Sequence, residues 1–230
     1  GAMDGLIAED LLLLLLDDEK GTLAAASSER PLFGGALLTE LALEGLVEVE
    51  ERTSLWRSAK VRAVAGRAAP GDPLLAAAHT TVAQRPRSAQ DLAPRLGKGV
   101  RDQLLERLVG RGILERREGR ILGLFPHTTW PTADVSHERA VRQRLHDVLV
   151  TGVDPDPRTG ALVALLAAVD QAHRVVERGP LRARDVKRRA RQVAEDEWAA
   201  DAVRDAVRAA QAATMAAVSA ATASAATSGS

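Results

Sequence analysis

Histidine is the side chain most often recruited for metal binding and proton transfer, and this chain has five, at positions 79, 127, 137, 146 and 173. No two lie three or four residues apart, so no helix can present a His-x-x-x-His face and no metal site is expected. There is no cysteine, which removes thiolate nucleophiles, zinc–thiolate sites and iron–sulfur clusters. A Gly-x-Ser-x-Gly elbow is absent, and Gly97-Lys98-Gly99 lacks the rest of a phosphate-cradling P-loop. The acidic groups Asp17-Asp18 and Glu195-Asp196-Glu197 fall at expected helix ends, where they read as capping or solvated charges. Spacing assembles no acid, base and nucleophile, so no catalytic residues and no cofactor are expected.

The basic residues suggest binding instead. Residues 88–125 read as helix, helix and hairpin, the order of a winged helix, whose second helix would carry Lys98, Arg101, Arg107 and Arg111 towards a major groove. Asp102 and Glu106 share that helix, and Lys+Arg and Asp+Glu both number 31, a formal net charge of zero. Phosphate backbones demand a broad basic face, so nucleic acid is a disfavoured partner and the winged-helix regulator an alternative reading. A second cluster, Arg182, Arg184, Lys187, Arg188, Arg189 and Arg191, is opposed only by Asp185. It would attract an anionic headgroup or a nucleic acid, but the preferred reading is a solvated helix face pairing with the acidic start of the next helix. Trp56 and Trp130 suit either a membrane boundary or loop packing. Trp198 shares a helical face with Ala202, Ala206, Ala209 and Ala213 and reads as core.

The elements that position these residues follow from periodicity. Asp4 can cap a first helix carrying Leu6, Ile7, Leu11, Leu14 and Leu15 and ending before Lys20-Gly21; its leucines wrap around it, which predicts a central position. Gly34-Gly35 opens a second helix that stops at Gly45. Alternation over 46–50 and 60–64 predicts a hairpin with its tip around Ser54-Leu55-Trp56. Helices follow at about 73–84, after Ser88 as cap, and at about 99–110. A second hairpin, formed by 113–115 and 120–125, is expected to turn at Glu118-Gly119. The remainder reads as helices at 136–150, 159–178, 180–194 and from about 195, with a frayed tail of small residues at 221–230.

The fold class is thus mainly α, a helical bundle ringed by amphipathic helices with two small β-hairpins. A chain of 230 residues supports one core, so 4–220 is read as a single domain, and 1–3 as a tag remnant. The longest apolar run, Leu11 to Leu16, is far short of the roughly 20 residues that span a bilayer, and Glu9, Asp10, Asp17 and Asp18 flank it. A cytoplasmic protein is expected.

Several segments, in order, resemble the Golgi phosphoprotein 3 family and its yeast vacuolar-sorting relative: residues 6–14, 37–43, 100–114, 124–131 and 156–165, within a similarity that runs over about 5–215. The resemblance implies peripheral membrane proteins that bind phosphatidylinositol 4-phosphate in a shallow basic pocket. Part of that pocket is a basic-x-x-Arg pair at a helix start, here filled by Lys98 and Arg101. Its other part, a tryptophan and an arginine, falls at Ala25 or Ala26 and at Gly34, so half the pocket is missing, with Arg30 the nearest substitute. The stretch from Ile121 to Trp130 matches the family hairpin associated with membrane insertion or self-association, with Leu122, Leu124, Phe125 and Trp130 as its apolar side chains; covering the bundle is their alternative role. An anionic, phosphoinositide-like membrane lipid is the implied partner and a homo-oligomer a further one. Abundant arginine and alanine with scarce lysine and aromatics suit a bacterial member. A scaffold that has kept the fold and lost the lipid site is the other alternative.

Overall fold

A computed structural model describes residues 5–51 and 59–228; Asp4 and the first hairpin tip with Trp56 lie outside them. The chain folds as a mainly α bundle with two small antiparallel sheets. Every residue of helix α1, Ile7–Leu15, is buried, the acids Glu9 and Asp10 of its first turn included, so it is the central element the leucine run predicts. Each leucine there contributes about 2 kcal/mol by leaving water. Its first turn is capped by Glu9, whose Oε1 accepts from the Leu6 N–H at 2.9 Å. The helix ends at Leu15 rather than near Lys20, because Asp17 Oδ1 accepts from the Glu19 and Lys20 N–H groups and folds that stretch into a turn.

Helix α2, Glu29–Leu43, begins five residues before the expected Gly34-Gly35 start. Those glycines open nothing. They sit mid-helix because a Cβ at Gly34 would lie 1.6 Å from the Ala93 carbonyl oxygen and one at Gly35 2.0 Å from Thr214 Oγ1. The backbone of α4 (Ala89–Leu96) and the Thr214 side chain of α9 (Arg204–Ser228) therefore press directly on the α2 backbone.

Strands β1 (Val47–Val49) and β2 (Lys60–Ala63) form the first hairpin, with Val47 opposite Ala63. A short third strand, β3 (Arg87–Ser88), pairs with β2 where only punctuation was expected. Helix α3, Pro73–Gln84, is capped by Asp72, which accepts from Leu74 and Leu75, and Ser88 caps α4 through the Asp91 N–H at 3.1 Å. Helix α5 is Val100–Gly110.

The second hairpin is shifted from its expected register. Strands β4 (Arg117–Ile121) and β5 (Phe125–Thr129) turn at Leu122-Gly123-Leu124, while Gly119 pairs within the ladder opposite His127. Residues 113–115 instead continue towards Pro131 and Thr132 through a bridge and a Glu115 N–H to Pro131 carbonyl bond.

Helix α6 (Ser136–His146) runs into a wider turn at Asp147–Thr151. Helix α7 (Pro157–Ala168) stops ten residues short of the expected 178, because the chain reverses at Asp170, whose φ is 55°. Helices α8 (Ala183–Glu195) and α9 complete the bundle. Trp198 precedes α9, donates its indole N–H to the Val193 carbonyl at 2.9 Å and packs over Gly160. Helix α9 continues to Ser228, through most of the stretch for which fraying was expected: alanine favours helix, and the Thr222 and Thr227 hydroxyls bond back to carbonyls four residues earlier. One apolar cluster runs from Leu6 to Val218. Among the described residues no helix is long and apolar enough to cross a membrane.

Candidate anion-binding site

Where α4 ends and α5 begins, Gly97-Lys98-Gly99 turns the chain, with Gly99 at φ 71° as the N-cap of α5. This corner is pressed onto α2: a Cβ at Gly97 would lie 1.7 Å from the Arg30 carbonyl oxygen. The two glycine contacts, Gly34 on Ala93 and Gly97 on Arg30, bring the start of α5 beside the first turn of α2. A recess of 340 Å³ results, lined by Glu29, Arg30, Phe33, Lys98, Arg101 and Asp102 together with the two turn glycines. Phe33 is buried and supplies an apolar wall.

The three basic residues named from the sequence thus share one recess. Arg30 Nε donates to the Pro94 carbonyl at 2.9 Å, an acceptor left open because α4 ends two residues later. Arg101 lies 3.6 Å from Glu29 and 3.7 Å from Asp102, contacts too long and too exposed to fix it firmly. Lys98 is exposed and makes no ion pair among the described residues. Three cations against two carboxylates leave a local excess of one positive charge, and α5 has no side-chain cap at its N-terminus. Such a helix start, with its dipole and flanking cations, suits one compact anion.

Position 34 has no room for a side chain. At Gly34 even a methyl group would collide with Ala93, so no arginine fits there. Ala25 holds φ 60° in the turn before α2.

The hairpin residues divide. Leu122 is 86%, Leu124 75% and Phe125 61% exposed, and Ile121 joins them at 47%. Trp130 does not: it lies at the hairpin base, partly buried against the core. The exposed apolar set is therefore Ile121, Leu122, Leu124 and Phe125 in place of the expected Leu122, Leu124, Phe125 and Trp130, because Trp130 follows the end of β5 and turns inward with the chain.

The sequence reading missed a buried ionic network. Glu9 and Asp10, which the sequence shows only as flanks of the leucine run, are both buried. Glu9 pairs with Arg107 at 3.0 Å and Arg111 at 2.7 Å. Asp10 pairs with Arg158 at 3.2 Å and meets His137 Nε2 at 2.7 Å. Arg158 also holds Glu40 at 3.3 Å, and Glu40 accepts from the Ile7 N–H at 2.8 Å. Burial pushes the Glu40 carboxyl above its ordinary range, against the pull of Ile7 and Arg158. Asp72 is the opposite case: desolvation would raise it, but hydrogen bonds from Arg107 and the Leu75 and Leu74 amides hold it low. Arg107 and Arg111 are committed inward, which takes two of the four cations away from the winged-helix reading.

No curated protein matches the chain. The family model described as Golgi phosphoprotein 3 (GPP34) matches residues 7–210, which include α1 to α8, the recess at Lys98 and the exposed hairpin. The chain belongs to the Golgi phosphoprotein 3 family.

Proposed function

We propose that this protein is a binding module rather than an enzyme, one that associates peripherally with membranes by docking an anionic phosphorylated, phosphoinositide-like headgroup at Lys98, Arg101 and Arg30. The observation that carries the reading is the convergence of these three cations around one recess at the uncapped start of α5. The exposed apolar tip at Ile121, Leu122, Leu124 and Phe125 supports it, since four such side chains in water are a cost that insertion between acyl chains relieves. The zero formal net charge keeps the whole molecule from acting as a general anion binder and places the selectivity on local contacts.

Liposome co-sedimentation tests the proposal with neutral, acidic and phosphatidylinositol 4-phosphate-containing vesicles. Lys98→Ala/Arg101→Ala should weaken binding to the phosphoinositide vesicles by roughly 30-fold, at about 1 kcal/mol per cation. Equal and negligible binding of wild type to all three vesicle types would refute it.

A further inference from the structure

A second recess shares no lining residue with the first. Between α7, α8 and α9 lies a groove of 370 Å³ whose floor and walls include Ala164, Leu165, Ala168, Ala212 and Met215. Short side chains on three facing helices leave this volume unfilled, and Met215, half-exposed at its edge, is an unbranched side chain that adapts to irregular apolar ligands. The polar lining residues are Arg191, Glu195, Gln211 and the buried Thr214, whose hydroxyl is spent on the Ala210 carbonyl.

The basic run on α8 separates into two sets. Arg189 donates to the Val148, Gly152 and Val153 carbonyls, and Lys187 pairs with Asp170 at 3.3 Å. Arg184, Arg188 and Arg191 are exposed and recur at four and three residues, so they form one stripe along the helix, and Arg191 brings it to the groove. Arg191 has no hydrogen bond or ion pair among the described residues. Gln211 Nε2, in the groove wall, is buried without an acceptor. Glu195, one turn beyond Arg191 on the same helix, also lines the groove. A mostly apolar groove of ligand size that an unpaired cation helps to line fits an amphiphile that has one anionic head and one unbranched tail.

We propose that the α7–α8–α9 groove binds a fatty carboxylate, its hydrocarbon chain along the alanine floor and its carboxylate at Arg191. The site is independent of the recess at Lys98, so either can fail without the other.

Isothermal titration calorimetry with octanoate, decanoate and dodecanoate below their micelle concentrations, and with dodecanol as the neutral control, tests this on the full chain. Affinity is expected to rise about fourfold per added methylene until the groove is filled. Arg191→Glu should weaken dodecanoate about tenfold or more while leaving dodecanol unchanged, and Glu195→Gln should tighten it. Ala212→Trp, at an exposed position that lines the groove, should abolish binding with the circular dichroism spectrum retained. Lys98→Ala/Arg101→Ala should bind dodecanoate like wild type. The proposal is overturned if no carboxylate binds, if affinity ignores chain length, or if Arg191→Glu has no effect. It is equally overturned if dodecanoate binding is lost on Lys98→Ala/Arg101→Ala. The same holds if wild type sediments as a dimer that Ala212→Trp dissociates while no carboxylate binds, which would make the groove an interface between copies.

Discussion

Single carboxylates in the buried network respond to pH in opposite senses. Asp72 has a folded pKa below its ordinary value of 3.8, so its contribution to stability is present above that value and is lost as pH falls through the folded one. Glu40 has a folded pKa above its ordinary value of 4.5, so its contribution is present below 4.5 and is lost as pH rises through the folded one. Urea unfolding across pH should show both. Asp72→Asn is expected to lower stability by about 2 kcal/mol at neutral pH, through the weakened helix cap and the lost charge on Arg107, and to flatten the acid limb. Glu40→Gln should keep the Ile7 hydrogen bond and flatten the decline above pH 4.5. A Glu40→Gln curve that parallels wild type there would show that the carboxyl is not perturbed. Sequence could flag each acid and arginine but not pair them: Glu9 and Arg107 are 98 residues apart, and only the packing of α1 against α5 makes them neighbours.

Elements, rather than residues, hold the candidate membrane face. The β4–β5 tip turns through Leu122 at φ 54° and Gly123 at φ 71°. A leucine in the left-handed region costs about 1 kcal/mol that glycine would not, and this leucine contacts mostly solvent. Leu122→Gly is therefore expected to raise stability to urea by about 0.5–1 kcal/mol while reducing vesicle binding. Lost stability together with unchanged binding would assign the residue to packing instead. The hairpin's existence was legible from its turn residues and alternation, but its register was not. The expected turn glycine, Gly119, pairs within the ladder instead, and the pairing of Leu114 with Thr132 draws residues 113–115 out of the hairpin. Likewise Gly34 and Gly35 look like a helix start in sequence, and only the proximity of α4 and α9 shows them to be contact glycines.

At the scale of the molecule, one apolar cluster joins residues from α1 to α9, and α1 lies at its centre. Unfolding by urea should therefore be a single transition with coincident circular dichroism and tryptophan fluorescence; two separated transitions would show that the core is divided. Vesicle binding should be salt-sensitive but not abolished by salt. At 0.5 M NaCl, screening within about 4–5 Å removes most of the headgroup attraction, whereas the apolar tip keeps its share. Complete loss at that salt would leave the hairpin without a role at the membrane.

Composition and periodicity by themselves determined that this chain is mainly helical, uses no thiol chemistry and centres on its leucine-rich first helix, because those properties depend on neighbours within a few residues. They also placed Lys98 and Arg101 at a helix start, since glycine punctuation marks it locally. Three features were decided only by tertiary structure: Arg30 joins that pair, the acids of α1 are buried against distant arginines, and Trp130 turns inward while Leu122 does not. The reason is the same in each case. Burial and charge pairing depend on which helices meet, and here the meetings are set by backbone-close contacts at Gly34, Gly35 and Gly97, residues whose importance lies in the side chain they lack.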